Sequence, residues 1–219
     1  MKISEMFSSI QGEGIWIGVP SFFIRVAGCN LECTWCDTIY ARNLENAKDF
    51  STDEIIAEAL NSGLQHIVIT GGEPSLYPDE IKKICSAMHE NFRKVTIETN
   101  GSNFIECEAD LISISPKFSG SQLDHSIECW YPEIIRKYME HGIQAQIKCV
   151  VGTEIEARDA IMKISSENFP KNLVFLMPKA NNRDLILAGA DWLVKFCCDS
   201  GFKYGARLHI LLWDTTKSC

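Results

Sequence analysis

The sequence predicts an α/β fold, a partial (incomplete) parallel β/α barrel built as a single domain over residues 1–219. Three observations predict it. Short apolar runs alternate with amphipathic stretches of helical period along the chain. The runs are rich in Val, Ile, Leu and Phe and end at Gly, Pro, Ser or Thr, as parallel strands buried on both faces do. They also fall one short of the usual eight strands of a closed barrel. A chain of this length buries roughly 70% of its unfolded surface, enough for one sizeable core.

The candidate strands, in order, are Phe22–Ala27, His66–Thr70, Lys94–Glu98, Leu111–Ser115, Ala145–Val151, Leu173–Met177 and Arg207–Leu212. Between the first two, Ser51-Thr-Asp-Glu54 reads as a capping box. It opens a helix with Ile55, Ile56, Ala59 and Leu60 at helical spacing, ended by Asn61-Ser-Gly63. Further helices are expected over Asp79–Asn91, Pro132–Glu140, Glu154–Ser166 and Asp184–Ser200, the last stopped by Gly201. Right-handed crossovers follow from the βα alternation, and ligands are expected at the C-terminal ends of the strands.

Hydrophobic content of 46% and charged content of 23% are ordinary for a globular chain. The formal net charge of −8 argues against a broad face for nucleic acid or membrane, which needs clustered Lys and Arg. The segment MKISEMFSSIQGEG has neither the basic n-region nor the apolar h-region of a signal peptide. No apolar run reaches the roughly 18 residues of a membrane span. A cytoplasmic location is therefore expected, and the 10 cysteines are read as reduced thiols or metal ligands.

Directly after the first strand stands Gly28-Cys-Asn-Leu-Glu-Cys-Thr-Trp-Cys-Asp37. Three thiolates in one short loop, Cys29, Cys33 and Cys36, wrap a single metal centre. On a [4Fe-4S] cube they leave the fourth iron without a protein ligand, open to chelation by a small molecule. Cys33-Thr-Trp-Cys36 alone also fits a redox pair or half a zinc site. Cys85, Cys107, Cys129, Cys149, Cys197, Cys198 and Cys219 lack comparable spacing and read mostly as small core side chains.

Other segments carry polar groups to strand ends. In Ile69-Thr-Gly-Gly-Glu-Pro74 the glycines allow close backbone approach to a ligand, and Glu73 is an acceptor for an ammonium or ribose. Glu98-Thr-Asn-Gly101 and Ser115-Pro-Lys117 lie at equivalent positions. Arg25 interrupts an apolar strand, and a buried guanidinium requires a partner, either a bound carboxylate or an acidic side chain. Strand alternation points it away from the face of Ile24 and Val26.

The Cys-x3-Cys-x-aromatic-Cys spacing, with Trp35 as the aromatic residue, resembles the radical S-adenosylmethionine (SAM) superfamily. The fold expected is thus of radical SAM type. Phe7-Ser-Ser-Ile-Gln-Gly-Glu-Gly14, Phe23-Ile-Arg25, Cys36-Asp-Thr38, Ser115-Pro-Lys117 and Arg207-Leu-His209 together resemble the 7-carboxy-7-deazaguanine synthase family, from residue 7 to about residue 213. The resemblance implies a radical SAM lyase of deazapurine and queuosine biosynthesis. Its substrate would be 6-carboxy-5,6,7,8-tetrahydropterin, and its products 7-carboxy-7-deazaguanine and ammonia. Hydrogen abstraction from C6 and ring contraction would follow, with SAM used catalytically.

It also implies site roles. Trp35, Asp37, Gly72, Glu73, Ser115, Pro116 and Lys117 would bind SAM. Ile10, Gln11, Gly12, Glu13, Arg25, Thr70 and His209 would bind the pterin, with His209 on the last predicted strand. Thr38 would hold Mg²⁺. The implied partners are an external electron donor of flavodoxin or ferredoxin type and a second subunit in a homodimer. Two features depart from the family pattern: Leu176-Met-Pro178 lacks a Gln before the proline, and the tail Ile210–Cys219 is longer than in some members. The competing readings are a glycyl-radical enzyme activase and a non-catalytic zinc or iron–sulfur protein. An activase has no use for Gln11, Glu13, Arg25 or Thr38 in these roles.

Overall fold

The computed structural model describes residues 1–45, 47–118 and 129–216. Cys219, read above as a core residue, and the last residues of the tail lie outside them.

In chain order the elements are β1 (Lys2–Ile10), β2 (Pro20–Val26), β3 (Lys48–Asp49), α1 (Thr52–Asn61), β4 (His66–Gly71), α2 (Pro78–Glu90), β5 (Lys94–Thr99), β6 (Leu111–Ile114), α3 (Pro132–Glu140), β7 (Gln144–Val151), α4 (Glu154–Ser166), β8 (Val174–Pro178), α5 (Arg183–Ser200), β9 (Lys203–Tyr204) and α6 (Leu208–Trp213), joined by loops and 3-10 turns. The strands form one open sheet in the order β3-β1-β2-β4-β5-β6-β7-β8-β9. From β2 to β9 every pairing is parallel, while β1 and β3 extend one edge antiparallel. The sheet does not close, so the partial barrel expected from the strand count is what forms.

Strand alternation sorts the side chains into two populations. Ile24 and Val26, Ile67 and Ile69, Val95 and Ile97, and Ile147, Cys149 and Val151 join one core cluster. Helix residues complete it, among them Ile55 and Ala59 of α1, Ile84 and Met88 of α2, Ile135 and Tyr138 of α3, Ile164 of α4, and Leu193 and Phe196 of α5. The helices therefore cover one face of the sheet. Residues of opposite parity, including Arg25, Glu98, Ser113 and Lys148, face away from that core toward a cavity on the concave side. Parallel register sets them side by side, pairing Arg25 with Thr70 and running Glu98, Ser113 and Gln146 in a row across three strands.

Local signals account for most elements. The Ser51 capping box forms in full, with Ser51 Oγ accepting from Glu54 N–H at 3.2 Å and Glu54 accepting from Ser51 N–H at 2.7 Å. Gly201 ends α5 in the left-handed conformation at φ 76°. Below the cavity, burial lowers the His66 pKa and favours its neutral ring, which two hydroxyls hold in place. Ser21 Oγ donates to Val19 O at 2.8 Å and so accepts from His66 Nδ1 at 2.7 Å, leaving Nε2 to accept from Thr96 Oγ1 at 2.8 Å.

Two expectations are corrected. Arg207–Leu212 was expected as a strand, but α6 occupies it, so His209 lies on a helix. A six-residue apolar run has no periodicity that separates helix from strand. Here Leu208 N–H is taken by Gly12 O at 2.9 Å, which docks α6 across β1's exit loop rather than along a strand edge. The second correction is β1 itself, unexpected because Lys2, Glu5, Ser8 and Ser9 interrupt its apolar pattern. As a half-exposed strand between β2 and a two-residue edge strand, it has no need of an apolar run.

Candidate active site

A cavity of about 460 Å³ opens at the C-terminal ends of the parallel strands. Its wall beside β2 is the loop after Val26, carrying the three cysteines. Cys33 is buried, and Cys29 and Cys36 are half-buried against it, with Leu31 and Cys129 packed alongside. All three cysteines of the loop line the cavity. The loop is held from behind by the Gly71-Gly72 turn. Gly72 N–H donates to Val26 O at 3.0 Å, and Glu73 N–H donates to Gly28 O at 2.8 Å. The approach is so close that a Cβ on Gly72 would sit 2.5 Å from the Gly28 carbonyl carbon and nearer still to its oxygen.

Burial pushes the Cys29 thiol up to about 11, opposed by a backbone hydrogen bond at Leu31 and reinforced by Glu73, Cys33 and Cys36 nearby. Without metal such a thiol stays protonated, whereas ligation to iron deprotonates it. Three sulfur donors on one cavity wall suit an iron–sulfur centre with one unligated iron. Next to them, Trp35 has the ammonium groups of Lys117 and Lys179 at 5.3 and 5.8 Å from its ring centroid. Lys117 is itself tethered to Ser115 Oγ at 2.8 Å and to the Ser115 carbonyl. Thr38 Oγ1 lies 3.7 Å from Cys36 Sγ.

The floor is a charged network. Lys148 donates to Glu13 Oε2 at 2.7 Å and to Glu98 Oε1 at 2.9 Å. Arg207 donates to Glu13 Oε1 at 3.2 Å and pairs with Asp37 and the Ala180 carbonyl. Glu98 also accepts from Thr70 Oγ1 at 2.9 Å and Gln11 Nε2 at 3.4 Å. Burial alone would raise the Glu13 carboxyl, but Lys148, then Arg207 and His209, outweigh it and hold the group well below the usual carboxylate range. Glu13 is therefore ionised. Burial lowers His209 below the usual imidazole range, which keeps its ring neutral at pH 7.

The loop bearing Gln11 and Glu13 is held at both ends. Gln11 Oε1 accepts from Glu13 N–H at 3.1 Å, and Gln146 Oε1 accepts from Ile15 N–H at 3.0 Å. Gly12 packs so closely under the His209 ring that a Cβ there would meet its Cγ at 2.9 Å. On β2, Arg25 Nε donates to Glu5 Oε1 at 2.6 Å, and the guanidinium lies 5.7 Å over the Phe7 ring. Its terminal nitrogens have no hydrogen-bond partner among the described residues.

Comparison with known proteins agrees with this arrangement. Residues 23–188 match the Radical SAM superfamily. The 7-carboxy-7-deazaguanine synthase of Rhodopirellula baltica is 30% identical over 220 residues, spanning 96% of this chain and 85% of that protein. The chain belongs to this family. A second relative of the same name, from Pyrobaculum aerophilum, is 28% identical over 224 residues and covers 99% of this chain and 96% of its own. The crystal structure of QueE from Escherichia coli superposes with a TM-score of 0.74 at 25% identity, covering 95% of this chain and 94% of the other. Membership in the superfamily implies a [4Fe-4S] cluster and SAM as cofactors.

With the family established, the residues expected at its site can be located. Ile10, Gln11, Gly12, Glu13, Arg25, Thr70 and His209 all line the cavity, as do Trp35, Asp37, Thr38, Gly72, Ser115 and Lys117. Glu73 and Pro116 do not. Glu73 is wholly buried behind the turn, where Oε1 accepts from Ser75 N–H at 2.9 Å and Thr99 Oγ1 at 2.6 Å, and Oε2 from Asn100 N–H at 2.8 Å. It braces the turn against β5. Arg25 meets an acidic side chain, Glu5, one of the two partners its burial allowed.

Lys148 and Arg207, both buried in the floor, carried no assigned role in the sequence reading. A signal existed for Lys148: like Arg25, it is a lone cation inside an apolar strand. The tail contributes Trp213, Asp214, Thr215 and Thr216 to the cavity wall. No helix among the described residues is long and apolar enough to cross a membrane.

Proposed function

We propose that the chain is a radical SAM carbon–nitrogen lyase that converts 6-carboxy-5,6,7,8-tetrahydropterin to 7-carboxy-7-deazaguanine and ammonia. The observation carrying this reading is that the cysteine triad and the Gln11–Glu13, Arg25, Thr70 and His209 set line one cavity. A protein-activating enzyme needs an open groove for a peptide loop, and a structural zinc site needs no polar floor.

The chain's residues divide the work. Cys29, Cys33 and Cys36 hold the cluster, and Trp35, Asp37, Gly72, Ser115 and Lys117 border the place for SAM. When bound, the cluster and SAM supply the hydrogen-abstracting chemistry. Glu13, ionised and fixed from two sides, accepts N–H bonds from the aminopyrimidinone edge. The outer nitrogens of Arg25 are offered to the substrate carboxylate, which orients C6 toward the cysteine wall. Phe7 and Phe23 exclude water beside it. Thr38, on the same wall, is proposed to hold Mg²⁺ against the substrate, an ion that favours oxygen ligands and keeps waters. The reductant is proposed to be a flavodoxin or ferredoxin. The protein is proposed to act as a homodimer of single radical SAM domains in the cytoplasm.

Equilibrium binding under anaerobic conditions tests the assignment. Reconstituted protein should bind carboxytetrahydropterin more tightly with SAM present, and Cys33→Ala should lose both iron and this coupling. Full iron content in Cys33→Ala, or SAM cleavage stimulated by a peptide but not by the pterin, would overturn the reading.

A further inference from the structure

We infer that Lys148 is a positioning residue of the substrate site, holding Glu13 and Glu98 as a fixed pair of acceptors for a donor-rich heterocyclic edge. The inference rests on the pterin-lyase reading and adds to it a residue given no role above.

Lys148 is 4% exposed and lies on β7, between Ile147 and Cys149, which point into the helix-side core. Its ammonium bridges the two carboxylates, at 2.7 Å to Glu13 and 2.9 Å to Glu98, and does so alone among the described residues. The carboxylates come from distant parts of the chain, Glu13 from the loop after β1 and Glu98 from β5. Two buried carboxylates brought this close without a cation would repel, and one would take up a proton. A protonated carboxyl presents a donor where an acceptor is needed.

The remaining charged or titratable groups around Glu13 are Arg207 and the neutral His209 on the α6 side, and Asp37 beyond Arg207. Arg207 binds Oε1, leaving Oε2 to Lys148. Arg207 is therefore already committed and cannot span to Glu98. On its other side, Glu98 accepts from the Thr70 hydroxyl and the Gln11 amide, so Lys148 ties these groups into one array with Glu13. Two carboxylates sharing one ammonium keep acceptor capacity to spare. That surplus matches a ring edge with several adjacent N–H groups, such as a 2-aminopyrimidin-4-one, and disfavours an edge of acceptors only.

The test measures equilibrium binding of carboxytetrahydropterin to reconstituted wild type, Lys148→Met, Glu13→Gln and the double variant, at about pH 6 and about pH 8.5. Lys148→Met should bind SAM normally and keep its iron. Its pterin affinity should fall on the order of 100-fold, more at the acid pH than at the alkaline one. Wild type should show no such acid loss. In the Glu13→Gln background, removing Lys148 should cost much less and add no pH dependence. Wild-type affinity in Lys148→Met, or an equal loss at both pH values that adds fully to Glu13→Gln, would overturn the inference.

Should Lys148→Met fail to fold, carbon-13 titration of glutamate carboxyls in the wild-type protein decides. Glu13 must stay ionised well below the ordinary carboxylate range, and titration within that range overturns the role given to Lys148. Failure of the wild type to bind the pterin at all overturns the lyase reading instead, while the titration still tests Lys148.

Discussion

Replacing Gly72 by Ala isolates the contact that seats the cysteine loop. Gly72 has an ordinary φ, so the substitution adds no backbone strain and tests space alone. The added Cβ would stand 2.5 Å from the Gly28 carbonyl carbon, against 3.4 Å for ordinary contact, and would overlap the carbonyl oxygen outright, so the loop must retreat by more than about 0.9 Å. Two hydrogen bonds span this gap, Gly72 N–H to Val26 O and Glu73 N–H to Gly28 O. Losing them costs about 1 kcal/mol each, and overpacking adds about 1–3 kcal/mol. The expected destabilisation is about 3–5 kcal/mol. Because Cys29 adjoins Gly28, the triad moves with the loop, and a shift of about 1 Å lowers a positioned reaction on the order of 100-fold. Iron content, urea unfolding and the rate of SAM cleavage should all fall together. A Gly72→Ala protein with wild-type values of all three would refute this account of how the loop is held.

Three further outcomes follow from the site. Arg25→Ala should keep its cluster and SAM affinity but lose about 2–5 kcal/mol in carboxytetrahydropterin binding or turnover, with Arg25→Lys recovering only part. A tetrahydropterin lacking the carboxylate should be nearly indifferent to the change, and equal weakening of both ligands would make Arg25 purely a partner of Glu5. Thr38→Ala should lose the magnesium stimulation of activity while its visible cluster spectrum stays unchanged; equal activity of wild type with and without magnesium would remove the role. Burial lowers His66 below its usual 6.5 in the native state, so the unfolded chain alone takes up a proton as pH falls through that value. Stability present above 6.5 should therefore be lost on acidification, by at most about 1.4 kcal/mol per pH unit from this residue. His209 adds a loss of the same sign, and a His66→Gln variant should show a smaller drop in urea midpoint between about pH 7.5 and pH 5.5 than wild type.

The sheet from β2 to β8 was legible because each strand is buried on its helix face, which forces Val, Ile or Leu at alternate positions and leaves sharp ends. β1 was hidden because an antiparallel strand next to the sheet's edge, covered on its outer side only by two-residue β3, tolerates Glu5 and Ser9 on its exposed or cavity side. α6 was misread because Leu208 to Leu212 is too short to display a period, and its helical form depends on Gly12 O, distant in sequence. The site was legible where chemistry demands a spacing, as in Cys29, Cys33 and Cys36, or where charge intrudes on an apolar strand, as at Arg25. Lys148 carries that same mark. What no single segment displays is the pairing: Lys148 acquires its meaning from Glu13, 135 positions away. Arg207 likewise depends on Glu13 and Asp37, which only the folded chain brings to it. Glu73 is a related case: its motif suggests ligand contact, and only the folded chain shows that its carboxylate also braces the turn through Ser75, Thr99 and Asn100.

The claim that one cavity serves both the cysteine triad and a carboxylated pterin is tested most directly by product analysis. Anaerobically reconstituted protein is incubated with reductant, SAM, magnesium and 6-carboxy-5,6,7,8-tetrahydropterin, and the products are identified by mass. The account predicts 7-carboxy-7-deazaguanine and ammonia in equal amounts, far exceeding any SAM consumed. SAM cleavage with the pterin recovered unchanged would contradict it.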